Sequence, residues 1–145
     1  MKFKSRKDLL NTSIIILTII FLITIVPFIW LDSDIVPTEK FIGSFVIILI
    51  SAFLAWIYLG TNYTLTDEEI KIKSGPIKFK IKIENISEII VNATLWVGWK
   101  PATALNGIII KYNRFDEIYI SPNTNELFVK EIIKKNSHIK VTYKK

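Results

Sequence analysis

The sequence predicts an α+β membrane protein: a two-helix transmembrane hairpin followed by an antiparallel β-barrel with a C-terminal capping helix. Three observations carry this fold class. Two uncharged apolar runs lie before Gly60, apolar and charged residues alternate after Asn62, and a helix signature follows Ser121. The basic N-terminal segment and the hairpin fall in residues 1–60, and a single soluble domain in residues 61–145.

The first apolar run, residues 9–31, reads LLNTSIIILTIIFLITIVPFIWL. As a helix it reaches about 34 Å, enough for a hydrocarbon core of about 30 Å. The second, residues 41–59, reads FIGSFVIILISAFLAWIYL and reaches about 28 Å. A chain of 145 residues has too little other sequence to cover two such helices in a soluble core. A cleaved signal peptide would carry a shorter apolar stretch, about 7–15 residues, ending in small residues. Here the run ends in Phe28, Ile29, Trp30 and Leu31, so the segment is expected to stay. Thr12, Ser13, Thr18, Thr24, Ser44 and Ser51 can bond to helix carbonyls or across to the partner helix. No ionisable side chain lies at membrane depth, which removes the usual basis for a proton relay, an ion pathway or an intramembrane protease.

The flanks set the orientation. Lys2, Lys4, Arg6 and Lys7 precede the first span, whereas the connection over residues 32–40 carries Asp32, Asp34 and Glu39 against Lys40. By the positive-inside rule the N-terminus and the C-terminal domain are cytoplasmic and the acidic loop is external. Trp30, Trp56 and Tyr58 stand at the span ends, where amphipathic rings anchor helices.

Beyond Asn62 the period becomes two. Ile70, Ile72, Ile77, Phe79, Ile81 and Ile83 take one face, and Lys71, Lys73, Lys78, Lys80 and Lys82 the other. Ser74-Gly75-Pro76 breaks the ladder as a turn. Further strands are expected at residues 63–66, 86–92, 107–112 and 117–121, with a turn at 113–116. A helix then begins with Ser121 as N-cap and Pro122 in first position and runs to about residue 135, with Leu127, Phe128, Ile132 and Ile133 on its apolar face.

Local sequence adds a resemblance to this element order. The stretch IKIKSGPIKFKI from Ile70, the segment PATAL from Pro101, IIIKY ending at Tyr112, and Tyr119-Ile-Ser-Pro122 followed by Phe128 stand in the order seen in a bacterial PH-like family, the YyaB-like group. The basic segment Lys2-Phe-Lys-Ser-Arg-Lys-Asp8 leading straight into a span also looks like this group. The resemblance covers nearly the whole chain. It implies a PH-like barrel of two bent sheets with the helix plugging one end. The group includes the immunity protein against the bacteriocin sublancin, so it also implies self-protection against a secreted peptide toxin, by binding the toxin or masking its membrane target. Members often carry an Arg in a Leu-Ser-x-x-Arg stretch before the strand that here begins at Gly107. This chain has Leu105-Asn106-Gly107, so a role tied to that Arg does not carry over.

The residues themselves narrow the chemistry. There is no cysteine, and His138 is the single histidine, so thiol nucleophiles, thiolate metal sites and most triads fall away. Asp67-Glu68-Glu69 falls at a turn, without the positioned partners that acid–base catalysis needs. The glycines fit no phosphate-cradling spacing. Asn62, Asn85 and Asn92 open Asn-x-Ser/Thr triplets that stay unmodified on a cytoplasmic domain. No enzyme, metal or cofactor is expected. The lysine face can meet anionic lipid, each lysine contributing on the order of 1 kcal/mol within a Debye length. It can equally be a solvated face that guards a strand against edge pairing. Nucleic acid is not an expected partner, because no stacking aromatics interleave those lysines. Trp96 and Trp99 flank Val97-Gly98 and either cap the barrel core or form an exposed patch for a partner or the membrane interface. Two functions follow: the immunity role, with Asp32, Asp34 and Glu39 on the loop a toxin meets, and a membrane-tethered PH-like module that binds anionic lipid or another partner.

Overall fold

The computed structural model describes residues 1–144. The elements are β1 (Lys2–Lys4), α1 (Leu9–Leu31), α2 (Pro37–Leu59), β2 (Asn62–Leu65), β3 (Glu69–Ser74), β4 (Ile77–Lys82), β5 (Ile86–Ala93), β6 (Gly107–Tyr112), β7 (Asp116–Ile120), α3 (Asn125–Ile133) and β8 (Lys140–Tyr143).

Two helices, α1 and α2, are long and apolar enough to cross a membrane. No residue of α1 is buried, and α2 buries only Ser44 and Ser51. That leaves an outward apolar surface far beyond the few hundred Å² a soluble monomer exposes in one patch. The helices meet along one side. At one end the Trp30 Nε1 donates to Ser44 Oγ at 3.0 Å, and the Trp30 ring stands edge-on to Phe41 at 5.0 Å. At the other end the Thr12 and Tyr58 hydroxyls share a hydrogen bond of 2.5 Å. α2 starts at Pro37, four residues before the apolar run. A proline in the first turn loses no helical bond, and Glu39 there faces the positive end of the helix dipole. The connection therefore shortens to residues 32–36, and Glu39 and Lys40 sit on the helix.

The remaining strands form two four-stranded sheets, ordered β1-β2-β3-β4 and β7-β6-β5-β8. Alternation fixed the register of β3 and β4, pairing Ile72 with Phe79 and Ile70 with Ile81, while β6, buried along its first four residues, pairs Ile109 with Tyr119 of β7. The core between the sheets gathers Ile70, Ile72, Ile81, Ile89, Ile108, Ile110, Ile118 and Ile120 with Phe128, Val129 and Ile132 of α3.

Four expectations are corrected. The sheets do not close into a barrel. Trp99 lies at the seam between β4 and β7: its carbonyl accepts the Tyr119 N–H at 3.1 Å, and its ring stands edge-on to Phe79 of β4 at 5.1 Å. The Tyr119 N–H is thereby taken by a loop residue, and the first sheet meets the end of β7 through the isolated Ser5–Pro122 bridge beyond β1. The strands are not all antiparallel, because β8 pairs parallel to β5, from Glu88↔Lys140 to Val91↔Tyr143. α3 does not begin at Ser121. That residue is fully buried, its backbone N–H and hydroxyl are engaged elsewhere, and the helix starts at Asn125 after Thr124. Finally, the basic flank of the first span is also a strand: β1 pairs with β2 from Lys2↔Thr64 to Lys4↔Asn62 and buries Phe3. The helical hairpin is thus inserted between two neighbouring antiparallel strands.

Candidate functional site

The chain shuttles between two poles of the domain. Residues 5–8, 60–61, the turn 74–76, the loop 94–106 and residues 121–124 collect at the pole that carries the hairpin, and residues 66–68, 83–85, 113–115 and 134–139 at the opposite one.

At the hairpin pole the helices and the domain are fastened at several points. Asp8 caps α1, accepting the Asn11 backbone N–H at 2.8 Å and the Asn11 side-chain amide at 3.1 Å. The same carboxylate accepts the Leu105 N–H of the domain at 2.6 Å. Partial burial pushes the Asp8 carboxyl up, but the hydrogen bonds from Leu105 and Asn11 and the nearby Arg6 charge outweigh it, so its pKa lies below the usual value. Arg6 donates to the carbonyls of Leu105 and Asn106 at 2.6 and 2.9 Å. The Lys7 ammonium sits 5.1 Å from the Tyr58 ring centre. Beneath them is a buried hydroxyl network: Ser5 Oγ contacts Tyr63 Oη and Ser121 Oγ, each at 2.9 Å, Thr103 Oγ1 reaches Ser5 at 2.8 Å, and Tyr63 Oη donates to the Pro101 carbonyl at 2.6 Å. At the foot of α2, Thr61 and Ser74 share a bond of 3.0 Å. Gly75, with φ +57°, brings the β3–β4 turn so close to Ile57 that a Cβ would lie 3.1 Å from its Cα. Sequence reasoning missed these fasteners. Only the Asp8-x-x-Asn11 spacing before an apolar run hinted at one of them, as a helix cap.

The five lysines share a face, with Lys73 opposite Lys78 and Lys71 opposite Lys80. The stripe runs along the strands, away from the hairpin. At about 3.3 Å per residue, Lys82 lies roughly 13 Å beyond Lys78. Charge compensation follows the same gradient. Glu69 holds Lys71 at 3.0 Å and Lys80 at 3.5 Å, and Glu84 holds Lys82 at 3.2 Å. Hydrogen bonding from Lys71, with the charges of Lys71 and Lys80, keeps the Glu69 carboxyl below its ordinary pKa. Lys73 and Lys78, beside the hairpin, pair with no carboxylate among the described residues.

The two tryptophans differ in degree. Trp99 rests one side of its ring on Phe79 at the β4–β7 seam and stays 41% exposed, whereas Trp96 is 76% exposed and Val97 82% exposed at the tip of the loop 94–106. Lys100 Nζ donates to the Trp96 carbonyl at 2.8 Å and fixes that tip. Asp32 and Asp34 are exposed at the opposite end of the hairpin, with Glu39 one turn further on. At the far pole, Asp67 pairs with Lys135 beside Glu68, Glu69 and Glu84 in an open, solvated depression. Among the described residues no group of three or more His, Cys, Asp or Glu could hold a metal ion.

The bacterial PH domain family matches residues 61–136, from the start of β2 to just past α3. The chain belongs to that family. The bacterial PH domain extends here into a full-length relationship: the chain is 28% identical over 142 residues, 96% of its length and 95% of the other's, to the uncharacterized protein YyaB of Bacillus subtilis (strain 168). No solved structure matches the chain. PH-like domains are typically non-enzymatic and often bind lipids.

Proposed function

We propose that this protein is a membrane-tethered PH-like module that holds its domain at the inner leaflet and engages anionic lipid through Lys73 and Lys78. The observation that carries this reading is the β3–β4 turn packed on Ile57 at the foot of α2, with the two unpaired lysines directly behind it. The positive flank of α1 supports the cytoplasmic placement. Attraction to anionic headgroups decays within about 8–10 Å at ordinary ionic strength. The two near lysines therefore contribute most, and Lys71, Lys80 and Lys82, further out and already paired, contribute little.

The test is thermal unfolding of the full chain in detergent, followed by tryptophan fluorescence, with phosphatidylglycerol or phosphatidylcholine added. A ligand that binds only the folded state raises Tm. Phosphatidylglycerol is expected to raise it more, with the difference shrinking at high salt and in the double variant Lys73→Gln/Lys78→Gln. Equal shifts with both lipids would reject the reading.

A second reading, protection of a producer cell against a secreted sublancin-type peptide, draws support from the acidic tip of the hairpin. Asp32, Asp34 and Glu39 stand at the end farthest from the domain, where an external cationic peptide would arrive. Masking of the toxin's target there requires no catalysis. Expression in a sensitive strain is expected to raise the inhibitory concentration; an unchanged value, with the protein present in the membrane, counts against it.

A further inference from the structure

We propose that the groove between the loop 94–105 and the first turns of α1 seats one anionic phospholipid, its phosphate at Lys100 and part of an acyl chain along Leu10, Ile14 and Trp96. This rests on the proposed placement of the domain at the leaflet surface. The groove has a volume of about 380 Å³ and is lined by Leu10 and Ile14 of α1 and by Leu95, Trp96, Ala104 and Lys100 of the domain. That is the size of a small-ligand site.

Three features identify the occupant. Leu10 and Ile14 are exposed residues of a helix long and apolar enough to span a membrane, so the groove floor continues the surface that acyl chains cover. Trp96 lines its outer side and, like its neighbour Val97, extends outward instead of folding onto the core, which in water would cost apolar burial and at a bilayer interface costs none. At the polar rim, Lys100 carries a charge that meets no carboxylate among the described residues. One of its three N–H donors is fixed on the Trp96 carbonyl, and two remain. An apolar channel with a single anchored cation at its mouth complements a lipid with a negative headgroup better than a zwitterionic one.

The test uses the full chain in nanodiscs containing both phosphatidylglycerol and phosphatidylcholine, with brominated acyl chains carried by one lipid or the other at equal bromine content. Quenching of Trp96 is read as the difference between the unmodified chain and Trp96→Phe. Expected is stronger quenching when bromine is on phosphatidylglycerol, reflecting a roughly five-fold local enrichment, the excess that a lysine–headgroup attraction sustains. Lys100→Gln is expected to erase the preference, while Lys73→Gln/Lys78→Gln retains it. Equal quenching by both lipids overturns the lipid seat and leaves the domain at the membrane. No quenching of Trp96 by either, with Trp30 still quenched, overturns the seat and the membrane placement of the domain together, and a blue-shifted Trp96 emission in that case would mean that a protein surface covers the loop.

Discussion

Asp8 joins two jobs in one side chain. It caps a 23-residue helix and ties that helix to the domain through Leu105. Asp8→Ala removes both, and the full chain in detergent is expected to unfold with about 1–2 kcal/mol less stability, the range for a lost cap. Asp8→Asn keeps an acceptor and loses only the charge, so its deficit at neutral pH is smaller. The pH dependence has a definite sign. The folded-state pKa of Asp8 is lowered, so its stabilisation is fully present above the unfolded value near 3.8 and is lost as pH falls through the lower folded value. The gap in Tm between the unmodified chain and Asp8→Asn is therefore expected to close on acidification below pH 4, and a gap that stays constant would refute the assignment. Tyr63 shows the same economy in the interior. Its hydroxyl donates to Pro101 and accepts from the Ser121 N–H, and burial raises its pKa. Tyr63→Phe orphans both partners and is expected to cost about 1–3 kcal/mol, measurable by chemical unfolding.

At the scale of elements, the parts with a strong local signal were legible and the parts held by distant partners were not. Ile70–Ile72 and Phe79–Ile81 alternate so regularly that a one-residue slip would bury the lysines, and the register followed. The helical spans needed only their length and lack of charge. β1 is three residues, KFK, with one apolar side chain, so no period can be read from it; it exists because Phe3 finds Phe128 at 5.0 Å. β8 likewise depends on the exposed flank of β5. Open closure of the sheets followed from Trp99, whose seat at the seam is a tertiary fact. Of the candidate site, the lysine face was visible as a stripe. Its gradient was not, because that depends on which end of β3 lies at the hairpin and on where Glu69 and Glu84 fall. The turn that decides this requires a glycine: Gly75 holds a left-handed φ that costs glycine nothing and packs closely against Ile57. Gly75→Ala adds a Cβ against backbone and about 1 kcal/mol of conformational cost, so it is expected to lift the turn from α2. Faster amide exchange at Ser74, Gly75, Ile77 and Lys78 would register that separation, with the core strands unchanged.

For the whole molecule, the decisive feature is that the long apolar helical hairpin interrupts a β-hairpin. Lys4 pairs with Asn62, and the Ser5 N–H donates to the Thr61 carbonyl at 3.3 Å, so Arg6 and Gly60 stand opposite each other across the insertion. The domain is consequently held at both ends of its first strand pair, and residues 61–145 do not by themselves contain every strand of the fold. A two-residue Asn-Gly turn has the twist to join such a pair. Joining Ser5 to Thr61, the last hydrogen-bonded pair, through Asn-Gly, with residues 6–60 removed, is therefore expected to give a soluble β-rich domain that unfolds cooperatively. Residues 61–145 alone lack Phe3 and leave Tyr63 and Phe128 uncovered, a loss comparable with removing a buried aromatic, about 3–5 kcal/mol. Denaturant unfolding of the two soluble forms side by side measures that difference. If residues 61–145 proved as stable as the joined form, β1 would be an ornament of the sheet and the hairpin a simple N-terminal appendage; if the joined form is the more stable, the two long helices are an insertion whose ends the domain itself grips, which makes any tilt of the helices a tilt of the domain.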